Sequence, residues 1–227
     1  MSRVAETCVL LAVPAALVAC AVLDVGGAAA LTLAVVLAAI AIFLAAYERS
    51  RPALRQVMPT VVLAALAAAG RVLFAAVPDV KPVSAICILA GVVLGRRSGF
   101  MTGALAALTS NFFFGQGAWT PWQMYAWGLV GYLAGVLAER GLMERTGVVL
   151  AYGFASALIY GLLLNGWYVI GFVSPLTWAS VVAAYAAGLP FDLVHGVATV
   201  AFLAALYVPW RRKLERVVAK YALAQRA

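Results

Sequence analysis

Asp192 and His195, in the stretch GLPFDLVHG, are three positions apart and so share one face of a helix. A carboxylate and an imidazole at that spacing can move a proton, grip a ligand or, with further donors, hold a metal. The metal reading fails on numbers. His195 is the only histidine of the chain, and neither an HExxH pattern nor a set of paired carboxylates accompanies it. Cys8, Cys20 and Cys87 stand apart in apolar segments without CxxC spacing, which argues against a zinc site and a disulfide framework. Neither a metal nor a cofactor is expected. A catalytic pair would also need a nucleophile, and Ser110 and Ser174 have no base near them in sequence. No catalytic residue is assigned, and the chain is expected not to be an enzyme; an intramembrane enzyme using Asp192 and His195 stays as an alternative.

The other polar side chains are scarce enough to read one by one. Arg71, in AAAGRVLF, lies toward the end of an apolar run, where its head group either snorkels to the surface or faces a cavity. Lys81, in VPDVKPVS, sits in a proline-bounded loop, free in water or set to clamp an anionic ligand. Asn111 and Asn165 stand near the ends of two runs, as helix caps or as ligand-facing amides. The densest group is TSNFFFGQGAWTPWQMYAW, residues 109–127, with seven aromatics beside Asn111, Gln116 and Gln123. Gly115-Gln116-Gly117 reads as a turn. Thr120-Pro121-Trp122-Gln123 reads as a helix start, a capping box with Pro at the first helical position. Trp119 and Trp122 then stand at a mouth, Trp122 and Tyr125 share a face, and Trp127 points elsewhere. A membrane-interface belt would account for the rings. It would not call for the amides, whereas rings beside amide donors suit a pocket for a planar, polar small molecule.

What must position these groups is a membrane bundle. Of 227 residues, 66% are hydrophobic and only 11% charged, too few charges to clothe a soluble domain of this length. Apolar runs near twenty residues point to helices rather than a barrel. They fall at 7–23, 28–47, 57–77, 83–95, 99–114, 121–138, 147–172 and 176–208. Fourteen of the sixteen Lys and Arg residues lie on alternate connections, which predicts eight crossings with those connections and both termini in the cytoplasm of a multi-pass protein of the cell (plasma) membrane. The net charge of +8 follows from that bias and does not call for nucleic acid. The opposite connections carry Asp24, the 78–82 loop, the aromatic stretch and Val173-Ser174-Pro175, so Arg71, Lys81, Asn111, Asn165 and Asp192 share the outer half.

Two runs are awkward. Segment 83–95 is short for a span, and 176–208 is too long for one. Gly188-Leu189-Pro190 predicts a break, with a short outer piece over 176–187 and a true span over 190–208. Pro190 as the first helical residue would put Asp192 in a first turn, where the helix dipole favours an anion. Small residues four apart, Ala64/Ala68, Ala65/Ala69, Gly99/Gly103 and Gly131/Gly135, let helix backbones approach closely. Leu17-Val18-Ala19-Cys20 resembles a lipoprotein cleavage box, but the apolar character resumes within a few residues. PWRRKLERVVAKYALAQRA, at the end, reads as a basic amphipathic helix on the cytoplasmic membrane surface.

Three stretches carry a resemblance. VVLAALAAAGRVLFAAVPDVKP, ILAGVVLGRRSGFMTGALAALTSNFFFGQG and GLPFDLVHG are similar, in order, to the first helix and outer loop, the second and third helices, and the opening of the sixth helix of the substrate-binding membrane subunit (S-component) of energy-coupling factor (ECF) vitamin transporters. The resemblance covers about 57–208 and departs at the front, where about two helices are added. It implies an all-α, polytopic six-helix core over 51–210, preceded by a helix pair over 1–50 and followed by a basic tail over 211–227. It also implies capture of a vitamin or vitamin precursor from outside, docking through Ala64, Ala65, Ala68 and Ala69 on a transmembrane T-component, and drive by two ATPase subunits. SNFFFGQGAWTPWQM, residues 110–124, resembles the branch associated with cobalamin-type substrates. With Arg71, the implied substrate-binding set is Lys81, Asn111, Gln116, Trp119, Trp122, Gln123, Tyr125, Asn165, Asp192 and His195. Asp192 and His195 replace the amide and base frequent on the family's sixth helix, which shifts the expectation toward a partly cationic or donor-rich ligand. A non-catalytic membrane assembly or anchoring protein is the further alternative.

Overall fold

The computed structural model describes residues 3–23, 25–49 and 54–220. Asp24, Arg51 and Arg226, counted above among the loop charges, and the rest of the tail beyond Lys220 lie outside the described residues, as do the side chains of Arg3 and Arg55. The described residues form eight α helices and no strand: α1 (Arg3–Leu23), α2 (Ala28–Arg49), α3 (Leu54–Leu73), α4 (Val83–Leu94), α5 (Arg96–Phe114), α6 (Trp119–Glu139), α7 (Thr146–Phe172) and α8 (Trp178–Lys220), with a 3-10 turn at Leu142–Glu144. Val4–Leu23, Ala28–Arg49, Thr146–Phe172 and Trp178–Lys220 are long and apolar enough to cross a membrane.

The helices follow the apolar runs, with two corrections. α4 has 12 residues, roughly 18 Å, against a hydrocarbon core of about 30 Å. It does not bridge a bilayer by itself. It sits at the centre of the bundle, packed on α3, α5, α6 and α8, and every residue from Val83 to Gly91 is buried. That is why its sequence is apolar all round.

The second correction concerns 176–208. No break occurs at Gly188-Leu189-Pro190, and α8 runs unbroken for 43 residues through Pro190 and Pro209, roughly 65 Å. Asp192 is therefore well inside a helix, not in a first turn, and the described part of the basic tail continues α8. Gly188 serves contact rather than termination. A Cβ there would lie 2.7 Å from the Asn165 amide, while one at Gly161 would lie 2.1 Å from Asp192 Oδ1. Asn165 and Asp192 each fill the notch left by a glycine on the facing helix, and Asn165 Nδ2 donates to Asp192 Oδ2 at 3.2 Å. This seam between α7 and α8 lies where the helix passes Pro190, whose freed carbonyl neighbours in a bundle can re-satisfy.

Glycine also sets the α5–α6 contact. A Cβ at Gly99 would lie 2.4 Å from the Gly131 carbonyl oxygen, and one at Gly103 would lie 2.3 Å from the Trp127 backbone. The two glycine pairs read from sequence thus meet each other. Gly91 of α4 enters the same seam, where a Cβ would lie 2.0 Å from the Gly131 oxygen. Hydrogen bonds lock both ends of the α5–α6 pair: Arg96 to Glu139 at 3.0 Å at one end, and Asn111 to Thr120 at 3.0 Å at the other.

α1 and α2 do not stand apart from the core. Glu6 of α1 is fully buried and meets Arg96 Nε at 3.0 Å and Arg97 Nη2 at 2.6 Å, and it accepts the Tyr132 hydroxyl at 2.8 Å. Phe43 of α2 stacks on Phe100 at 4.3 Å, and the Tyr125 hydroxyl of α6 donates to the Leu10 carbonyl. Glu6 answers the charge of the α4–α5 turn, so that turn's arginines are more than loop charges. Removing one partner of a buried ion pair costs about 3–5 kcal/mol. The arginines are 15% and 25% exposed, which brings the expected loss for Glu6→Ala to about 2 kcal/mol. Thermal unfolding of the purified chain checks it, with Glu6→Asp expected to lose less.

Candidate functional site

Arg71 is the point from which the site is built. It lies in the last turn of α3 and is 9% exposed. Its Nη1 donates to Ser110 Oγ at 2.7 Å and to Asn111 Oδ1 at 2.6 Å, both at the end of α5. Its guanidinium carbon lies 4.5 Å from the ring centre of Phe114 and 5.0 Å from that of Trp127, within cation–π range. The choice left by the sequence between snorkelling and facing inward is thus settled inward.

Asn111 passes the network to α6. Its Nδ2 donates to Thr120 Oγ1 at 3.0 Å and to Gln123 Oε1 at 2.8 Å. Gln123 in turn lies near the Tyr160 hydroxyl of α7. Thr120 and Gln123 do not form the expected capping box. α6 begins two residues earlier, at Trp119, with Ala118 as its cap. This frees both side chains to point at Asn111, while Thr120 Oγ1 donates to Gln116 Oε1 at 2.9 Å. Gln116 closes the turn by donating to the Leu108 carbonyl at 3.0 Å, and Trp119, 38% exposed, lies over Gly117.

The second arm comes from α4 and α8. Ser84 Oγ and His195 Nε2 are 2.8 Å apart, and Trp127 Nε1 donates to the same oxygen at 3.2 Å. Tyr160 stacks near Trp127 at 4.8 Å and meets the His195 ring edge-on at 5.3 Å. Asp192 and His195, paired on one face, take separate partners: Asn165 for the first and Ser84 for the second. Lys81 closes the rim, donating to the Phe74 and Val77 carbonyls at 3.2 and 2.9 Å. Burial lowers the Lys81 ammonium from its ordinary value; Asp79 offsets part of this and Arg71 adds to it. Burial also raises Asp79, against the pull of Lys81.

Six helices and one loop thus bring Arg71, Lys81, Ser84, Asn111, Gln123, Asn165, Asp192 and His195 together, with Gln116 and Trp119 at the edge. Trp122 and Tyr125 are not part of it. Both are fully buried on the opposite face of α6, in an apolar cluster with Leu10, Val13, Phe43 and Phe100. The aromatic face turned to the site is that of Trp127. Its signal was in the sequence, since Thr120, Gln123 and Trp127 are spaced by three and four. Ser84, Ser110 and Tyr160 were also missed. Ser84 is the one hydroxyl of α4, but an isolated serine carries no weight until a partner is seen. Among the described residues no group of three or more His, Cys, Asp or Glu is placed to hold a metal ion.

A family model described as a family of unknown function (DUF6580) matches residues 52–217, that is, from the start of α3 to near the end of α8, leaving α1 and α2 outside. No curated protein and no solved structure matches the chain. Trp122→Ala is expected to cost about 3–5 kcal/mol as a core truncation, and Asn111→Ala about 2–3 kcal/mol because it strands a buried guanidinium. Gln116→Ala, in the exposed turn, is expected to cost less than about 1 kcal/mol. Thermal unfolding of the three variants in detergent measures the order.

Proposed function

Since the chain belongs to the DUF6580 family, whose function is unknown, its role must be argued from the site, and we propose that it is the membrane substrate-capture subunit of an ECF-type transporter for a vitamin or vitamin precursor. The observation that carries the reading is the meeting of amides, hydroxyls, rings and a guanidinium with no carboxylate partner among the described residues, from six helices, at one end of the bundle. Polar groups are costly at membrane depth and mark ligand paths when they gather. The basic residues of the α4–α5 turn and of the end of α8 lie at the other end, so the positive-inside bias makes that end cytoplasmic and the polar site outward-facing. Donors set among flat rings suit a planar, polar molecule, and the aromatic stretch's similarity to the cobalamin-type branch makes corrinoids the first ligands to try.

The docking face is narrower than the sequence suggested. Ala64 and Ala68 are buried inside the bundle, 3% exposed each. Ala65 and Ala69 are exposed, and with Val72, Leu73, Thr109 and Phe113 they line an open apolar groove between α3 and α5. In this reading the T-component sits in that groove, and two ATPases act through it.

An enzyme built on Ser84 and His195 is the other reading with an observation behind it, their 2.8 Å contact. Ser84 is sealed from solvent, its oxygen already accepts from Trp127, and Asp192 bonds Asn165 rather than the imidazole. Those features describe a hydrogen-bond relay better than a poised nucleophile.

Mass spectrometry of small molecules released from the purified chain tests the proposal: one vitamin-like compound at about one per chain is expected, and none would count against it. Ala65→Leu with Ala69→Leu is expected to leave binding unchanged and to reduce uptake at least about tenfold in cells carrying the T-component and ATPases. Normal uptake by that variant would remove the groove from the scheme.

A further inference from the structure

Arg71 is more than nine-tenths buried, yet no carboxylate lies within ion-pair distance of it among the described residues. All that offsets its charge is neutral: the Ser110 and Asn111 oxygens, two ring faces, and the carbonyl ends of α3 and α5. Buried charges are ordinarily paired, because removing an ion from water costs several kilocalories per mole that a counter-ion must help restore. Both hydrogen bonds use Nη1. Nε and Nη2 have no partner among the described residues, and neither belongs to the sealed orphan groups, such as Trp122 Nε1 and Thr199 Oγ1. The free edge of the guanidinium is therefore the Nε/Nη2 fork, the edge that meets a carboxylate with two parallel hydrogen bonds.

We infer that Arg71 is the anchor for a carboxylate of the captured molecule, gripped through Nε and Nη2 while Ser110 and Asn111 hold Nη1 in place. The inference rests on the capture reading above and gives it a substrate class, an organic acid with one free carboxylate. One positive charge in a low-dielectric site balances one negative charge, which favours a carboxylate over a phosphate dianion. Lys81, a second cation close enough to act on Arg71, is tied to two backbone carbonyls at the rim. The remainder of the ligand would lie toward Trp127, Tyr160 and His195, and Asp192, which has no cationic partner among the described residues, would receive a donor from its far end.

Matched acids and amides test this. The full chain in lipid nanodiscs is titrated by tryptophan fluorescence with biotin and biotinamide, nicotinate and nicotinamide, lipoate and lipoamide, and cobyric acid and cobinamide. One acid is expected to bind saturably and its amide at least about tenfold more weakly. Arg71→Gln is expected to weaken the acid about a hundredfold, as for truncating one side of a buried charge pair, and Arg71→Lys about tenfold. Asn111→Asp sets a carboxylate against Nη1 and is expected to keep the chain folded while abolishing acid binding, so it decides the matter if Arg71→Gln does not fold. Equal affinity for acid and amide, or undiminished acid binding in either Arg71→Gln or Asn111→Asp, overturns the anchor and leaves the capture reading standing. If no compound of the panel binds, the molecule released from the purified chain decides: a carboxylic acid lost from Arg71→Gln supports the anchor, and a neutral compound or a phospholipid overturns it. Neither binding nor any released molecule overturns both.

Discussion

Where Gly99 of α5 meets Gly131 of α6, no side chain separates the two backbones, and Gly91 of α4 enters the same gap. In lipid there is little hydrophobic drive between helices, so close approach and internal hydrogen bonds must hold them. The glycine seam brings α4, α5 and α6 nearer than any larger residue would allow. From that closeness follow the reach of Asn111 to Thr120 and Gln123 at one end and of Arg96 to Glu139 at the other. A second seam, with Asn165 and Asp192 seated over Gly188 and Gly161, places α8 against α7 and so carries His195 to Ser84. The site is assembled by small residues that take no part in its chemistry.

Much of this was legible in the sequence, for definite reasons. Helix positions follow apolar runs because lipid demands them, and the polar residues near one set of helix ends converge because consecutive helices alternate in direction. What could not be read was the rotation of each helix. The spacing of Trp122, Tyr125 and Trp127 says that the first two oppose the third, but not which side faces the site. Both sides of α6 are aromatic and both are buried, one against α1 and α2, the other against α4 and α7. Only the docking of the first helix pair decides it, and that rests on contacts far apart in the chain, Glu6 with Arg96 and Arg97, Phe43 on Phe100 and Tyr125 with the Leu10 carbonyl. The expected break at Gly188-Leu189-Pro190 failed for a related reason. Glycine and proline mark helix ends when the local chain decides, whereas here the tertiary fit of Asn165 over Gly188 overrides them.

The two ends of the bundle meet the same difficulty in opposite ways. At the α4–α5 turn the chain supplies both signs: Glu6, fully buried, has Arg96 and Arg97 beside it and the Tyr132 hydroxyl to complete its shell. That end is closed electrostatically, and it joins α1 to the core. At the other end Arg71 is nearly as buried but is given only neutral oxygens, rings and helix ends. A chain that pairs its buried charges at one end has no general inability to do so at the other. A carboxylate in place of Asn111 would have supplied the missing anion at the distance where Nη1 already donates, 2.6 Å. An amide there holds the guanidinium without neutralising it, which leaves its charge for something that arrives from outside the chain.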